Sequence, residues 1–156
     1  MVLSDSMKLL VSLIFILFSF NSVYSQERFE NLDVFELQYA RDPQISPDGN
    51  YILYVRTQMD IMKDGRSSSI WILNADGSNH QKLTSSSRNE SNPRWSPDSK
   101  KISFISSSDD DNGSEIFIYW VDSKQYSSIS QLSGSPRSIK WSRNGKYLAF
   151  SMFVPE

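Results

Sequence analysis

Three stretches of the chain superimpose without gaps: PQISPDGNYILYV from Pro43, PRWSPDSKKISFI from Pro93 and IKWSRNGKYLAFS from Ile139. Their turn serines, Ser46, Ser96 and Ser142, lie 50 and then 46 residues apart. Self-similarity at such a period constrains the fold more than any single motif, because each repeat must be one supersecondary unit that buries its faces against its neighbours. Between the three stretches lie two further matching segments, SIWILNADGSNHQKLTS from Ser69 and EIFIYWVDSKQYSSISQLS from Glu115. Each is an apolar run, a polar turn and a short closing run, so a complete unit holds four strands.

Within a unit the residues dictate the geometry. Pro47 sets φ for the second turn position, Asp48 can bond back to the backbone, and Gly49 supplies the left-handed residue that closes the hairpin. After the turn, Ile52, Ile102 and Leu148 form one apolar column and Tyr54, Phe104 and Phe150 a second, two residues further on. That period of two places both on one face of a strand. Before the turn Ile45, Trp95 and Trp141 share one site, which predicts burial at all three. In the third strand Ile70 to Leu73 align with Ile116 to Tyr119; consecutive apolar positions mean that both faces are covered, as when sheet stacks on sheet. The expected fold is all-β: a partial β-propeller of two four-stranded blades plus the first hairpin of a third. A short lead-in helix is expected over Leu32 to Ala40, with Asp33 as cap and Glu36 completing a capping box. The tight turns, including Asp76-Gly77, fall at one end of the sheets. The variable stretches Thr57 to Ser68 and Ser106 to Ser114 share the other rim, which is where any binding surface of the chain would be sought.

The domain plan follows: residues 1–25 as signal peptide, 26–42 as lead-in segment and 43–156 as an incomplete propeller. Leu9 to Phe20 is an apolar run of twelve residues, about 18 Å of helix against a hydrocarbon core of about 30 Å, too short for a stable membrane span. Val23 and Ser25 resemble a cleavage site, so the mature chain is expected to start at Gln26 and to be secreted or periplasmic. Met7-Lys8 makes a better basic start than Met1, whose neighbour Asp5 cancels Lys8.

Several chemistries are excluded. There is no cysteine, hence no disulfide, zinc-thiolate site or thiol nucleophile. The formal net charge is -2 and the basic residues are scattered along the sequence, so no nucleic-acid partner is expected. No cofactor site and no metal site is expected. Ser108 to Tyr119, spanning Asp109-Asp110-Asp111-Asn112-Gly113, has Tyr119 where a calcium loop needs a bidentate Glu. His80, the one histidine, is expected in a solvated loop. Asn89-Glu90-Ser91 and Asn112-Gly113-Ser114 match glycosylation acceptors. The aromatic residues fall at repeat-equivalent positions and are expected in the core rather than on a sugar-binding platform.

The tryptophan-bearing Ser-Pro-Asp-Gly hairpin, the later Asp-Gly turn and the Leu-Thr ending resemble the repeats of TolB-like propellers. The run DPQISPDGNYILYVRTQMD, followed by SSIWILNADGSNHQKLT and SNPRWSPDSKKISF, resembles secreted prolyl oligopeptidase family peptidases near the acylaminoacyl peptidase and dipeptidyl peptidase branches, over Asp33 to Glu156. The resemblance implies a propeller of seven or eight blades covering an α/β-hydrolase domain with a Ser-Asp-His triad. That hydrolase domain is absent from these residues, and no Gly-x-Ser-x-Gly elbow occurs. No catalytic residue of the family is therefore assigned; Ser46, Ser96 and Ser142 are read as turn residues, and Glu27, Glu30 and Glu36 are not a substrate-binding glutamate pair. The expectation is an N-terminal propeller fragment of a serine peptidase that gates peptide substrates, does no catalysis alone and self-associates through open blade faces. The alternative is a non-catalytic TolB-like propeller that binds protein or glycan.

Overall fold

The computed structural model describes Glu30 and residues 33–107, 113–132 and 134–154. The chain divides into two compact units, Met1–Glu30 and Asn31–Glu156, and the architecture below belongs to the second. The signal segment 1–25, its cleavage site, Glu27 and Asp109 to Asn112 lie outside the described residues.

Two four-stranded antiparallel sheets and a hairpin make up this unit. The first blade consists of β1 (Gln38–Ile45), β2 (Tyr51–Asp60), β3 (Gly65–Asn74) and β4 (Gln81–Lys82), hydrogen-bonded in sequence order. The second consists of β5 (Asn89–Trp95), β6 (Lys101–Ser107), β7 (Ser114–Trp120) and β8 (Gln125–Ser128), in the same order. The third contributes β9 (Arg137–Trp141) paired with β10 (Leu148–Ser151). The expected repeat of four up-and-down strands is thus observed.

Blades stack face to face, and the column that the period of two assigned is fully buried on β6 while on β2 the opposite face enters the core. Leu53 and Val55 of β2 and Ile70 and Ile72 of β3 pack with Trp95, Ile102 and Phe104 of the second blade in one buried cluster. Ile105 and Ile116, on the other face of the second blade, pack with Ile139 and Leu148 of the third. Each such side chain contributes about 1.5–3 kcal/mol when fully removed from water. Strand β6 is buried on both faces because it has a blade on either side. On β2 the Ile52 and Tyr54 column is only half-buried.

Three expectations change. The helix over Leu32 to Ala40 is reduced to one 3-10 turn, Asp33–Phe35, closed by Glu36 N–H donating to Asp33 O at 3.0 Å. The residues that follow are drawn into the sheet instead: β2 is long enough to pair Gln38 with Gln58 and Tyr39 with Thr57, so the blade begins at Gln38 and not at Pro43. Thr57 to Ser68 is mostly ordered hairpin; β2 and β3 stay in register out to Asp60 and Gly65, and only Ile61–Lys63 turns, capped by Asp60, which accepts from Met62 N. Finally, Ile45 is 71% exposed whereas Trp95 is 8% exposed and Trp141 half-buried. This site packs against the preceding blade: Trp95 stacks on Tyr51 at 6.0 Å, and Trp141 Nε1 donates to Arg94 O at 3.1 Å. No described residue precedes Ile45 in that way.

Candidate functional site

The turn serines are structural, and the same network recurs three times. Ser46 Oγ donates to Asp48 at 2.6 Å and accepts from Tyr51 N; Asp48 in turn accepts from Asn50 N. Ser96 does the same with Asp98 and Lys101, and Ser142 with Asn144 and Tyr147. With their protons directed at a turn carboxylate or amide and their lone pairs taken by backbone N–H groups, these hydroxyls are committed to the turns and have no histidine beside them to activate them as nucleophiles. The Ser46 hydroxyl first, then the Asn50 amide, hold the Asp48 carboxyl below the usual carboxylate range; Ser96 and then Lys100 do so for Asp98.

The second turn has Ser99 where the others have Gly49 and Gly145. Its φ of +59° matches their +77° and +66°, a conformation that costs a residue with a Cβ about 1 kcal/mol. The hydroxyl offers a return, because Ser99 Oγ accepts from Asp48 N at 3.1 Å and joins the first two blades at their turns.

The first strand of each blade, β1, β5 and β9, which lies against its counterpart in the next blade, carries a feature not anticipated from the sequence. Asp42, Asn92 and Ser138 occupy the same repeat position and have φ of +51°, +56° and +54°. In each hairpin the register shifts there or nearby, between Arg41 and Gln44, between Ser91 and Arg94, and opposite Arg137 between Ala149 and Ser151. These are β-bulges, which bend a strand and re-aim the side chains that follow. The Asp-Pro and Asn-Pro pairs at 42–43 and 92–93 were the available signal, since Asn and Asp tolerate the left-handed region and Pro is placed in strands mainly at edges and bulges.

Just past the bulges, Gln44, Arg94 and Lys140 line an open groove of about 630 Å³ together with the Ile45, Trp95 and Trp141 column and Arg143. It lies at the tight-turn end of β1, β5 and β9, at the opposite end from the rim of the variable stretches. Three cations and no carboxylate line it. A neighbouring depression shares Pro97 and Arg143 and adds Lys101 and Lys146 against a single acid, Asp98. Arg94 is neutralised by the bulge residue of the preceding blade, its Nη1 lying 2.8 and 3.1 Å from the two Asp42 oxygens. The basic residues scattered along the sequence are therefore gathered here by the repeat.

Two further groups were missed. Glu90 is completely buried between the first two blades, accepting from Ile70 N at 3.0 Å and from the Thr84 hydroxyl. Burial pushes its carboxyl above the ordinary glutamate value, against the opposing pull of Thr84, Ile70 and Lys82. His80, expected in a free loop, is exposed but engaged: its Nε2 lies 2.7 Å from Tyr54 Oη, and its ring packs at 5.0 Å on Trp71, over which Arg56 lies at 4.6 Å. The Tyr54, Trp71 and His80 group on the first blade mirrors Phe104, Phe117 and Tyr126 on the second. The sequon residue Asn89 stands in β5 with its side-chain oxygen accepting from Ser68 N at 2.9 Å, not in a surface loop. Among the described residues no group of His, Asp and Glu is arranged to hold a metal ion, and no helix is long and apolar enough to cross a membrane.

No family model matches the chain. Among curated proteins it is 26% identical over 124 residues to the uncharacterized peptidase YuxL of Bacillus subtilis (strain 168), covering 80% of this chain and 19% of that one. It is 22% identical over 107 residues to dipeptidyl-peptidase 5 of Porphyromonas endodontalis, covering 69% of this chain and 15% of the relative. Of solved structures, the β-propeller domain of the Trilobed protease from Pyrococcus furiosus matches with a TM-score of 0.61 at 24% identity over 74% of this chain and 34% of its own. Uncomplexed Pyrococcus horikoshii acylaminoacyl peptidase matches with a TM-score of 0.63 at 24% identity, over 78% of this chain and 18% of the other. The chain folds as part of a β-propeller. The resemblance to the propeller portion of prolyl oligopeptidase family peptidases holds in sequence and in fold. A structure described as putative TolB from Agrobacterium tumefaciens also shares the propeller fold, with a TM-score of 0.54 at 21% identity, over 74% of this chain and 43% of that one.

The chain spans about a fifth or less of the length of these curated relatives. Within that span the propeller supplies strands, turns and a cationic groove, and among the described residues no serine is paired with a histidine and a carboxylate.

Proposed function

We propose that this chain is the propeller portion of a secreted serine peptidase, in which the inner strands β1, β5 and β9 face the peptides admitted to a hydrolase domain encoded outside these residues. The observation that carries the reading is the match of 80% of this chain to 19% of a peptidase relative, together with the fold it shares with a protease propeller domain. A propeller over the catalytic centre selects substrate by size and extension, because a folded protein does not pass a rim of close-packed blades. Export is supported by the apolar run Leu9 to Phe20 and the Val23-Tyr24-Ser25 site, with cleavage after Ser25. Isolated, the chain self-associates through open faces that leave Tyr147, Phe150 and Phe153 in water.

The test is active-site labelling with a fluorophosphonate, which reacts with activated serines. The product of the complete reading frame should take up label, and the chain 1–156 should take up none. Labelling of 1–156, or a complete product that is neither labelled nor active on aminoacyl and peptidyl reporters, would refute it. The second outcome would favour the non-catalytic TolB-like reading, which rests on the fold shared with the Agrobacterium protein. The amino-terminal sequence of the exported protein tests the cleavage site.

A further inference from the structure

The repeat makes the two blade junctions directly comparable, and they differ in one charge. At the first junction Arg94 reaches back to Asp42, the bulge residue of the preceding blade, and binds its carboxylate. At the second junction the residue equivalent to Arg94 is Lys140, and the residue equivalent to Asp42 is Asn92. The cation has been kept and the anion lost. Both ends are idle: Asn92 Oδ1 is buried without a hydrogen-bond partner, and Lys140 is exposed. Among the described residues neither Lys140 nor Arg143 is ion-paired, although both line the groove beside Trp95 and Trp141.

We propose that the groove at this second junction binds a peptide carboxylate, which supplies the negative charge that Asp42 supplies at the first junction. Lys140 and Arg143 supply the opposite charge, and the Trp95 and Trp141 column supplies apolar surface for the adjoining part of the peptide. An acidic peptide fits better than a nucleic acid. The cations cluster in this groove of about 630 Å³ and the depression beside it, on a chain of net charge -2. The inference deepens the proposed substrate-facing role of the inner strands and rests on it for the choice of a peptide as ligand. Its test reads binding without hydrolysis, so it fails separately from the serine-labelling experiment.

The experiment titrates the chain, dilute and at low salt, with three short peptides while tryptophan fluorescence is followed. One carries a glutamate side chain with both ends blocked, one a free C-terminal carboxylate and no acidic side chain, and one is the blocked glutamine analogue. At least one carboxylate peptide should bind about fivefold to tenfold more tightly than the neutral analogue, as expected for one or two exposed ion pairs. Which one does so identifies the source of the carboxylate. The preference should shrink as salt is raised. Asn92→Asp, which supplies an anion internally, should weaken it, and so should Lys140→Gln at an exposed position where folding is not at stake, Arg143 retaining part of it. Equal binding of all three peptides, an undiminished preference in Asn92→Asp, or tighter binding of a single-stranded oligonucleotide than of any peptide would overturn the proposal.

Discussion

Glu90→Ala leaves two buried hydrogen-bond donors without an acceptor. In the native chain the Glu90 carboxylate, completely removed from solvent, takes Ile70 N–H of β3 and the Thr84 hydroxyl beyond β4, while its own backbone oxygen accepts from Ser68. An unsatisfied buried donor costs about 1–3 kcal/mol, so losing the acceptor for both costs about 2–6 kcal/mol before any cavity term. Against a total stability of about 5–15 kcal/mol that is a large share. Glu90→Gln separates the hydrogen bonds from the charge, because the amide oxygen can accept from Ile70 N and its NH₂ can donate to Thr84 Oγ1. The charge matters in a definite direction. Burial raises the folded-state value above the ordinary 4.5, so the folded chain holds this proton more tightly than the unfolded chain. Its contribution to stability is fully present below pH 4.5 and is lost as pH rises through the raised value. Urea unfolding of dilute protein between pH 4 and 8 is the assay. Glu90→Gln should flatten that part of the pH profile while remaining within about 1 kcal/mol of wild type in acid, and Glu90→Ala should be destabilised at every pH. A Glu90→Ala loss below about 1 kcal/mol, or an unchanged pH slope in Glu90→Gln, would refute the reasoning.

Other expectations are simpler. Trp95→Ala should cost about 3–5 kcal/mol in the same unfolding assay, whereas Ile45→Ala at the equivalent but exposed site should cost under about 0.5 kcal/mol. Ser96→Ala removes the hydroxyl that accepts from Lys101 N and directs Asp98, at a position 1% exposed, and should cost about 1–3 kcal/mol. Since Asp48 and Asp98 are held below the usual carboxylate range, their stabilising effect is present above about pH 4 and is lost as pH falls through the lowered values. Asp98→Asn should therefore reduce the acid sensitivity of unfolding.

The blade period, the strand count and the turn chemistry were legible because they rest on local rules: a left-handed residue at 49, 99 and 145, alternation along each second strand, and continuous apolar runs in each third strand. The helix over Leu32 to Ala40 failed because a local capping pattern competes with ten residues of β2 that need partners, and the ladder wins by satisfying several backbone groups at once. Ile45 failed because repeat equivalence specifies which face a residue presents but not whether a neighbour exists to cover it.

What the sequence by itself determined is the unit: four strands, their order, and hydroxyls committed to turns rather than to catalysis. What only the tertiary structure decided is everything that passes between units. The left-handed bulges at Asp42, Asn92 and Ser138, the Asp42–Arg94 pair, the burial of Glu90 and the gathering of Arg94, Lys140 and Arg143 around one groove join residues up to about fifty positions apart. No local window holds both partners, so their charges meet only when one blade is laid on the next.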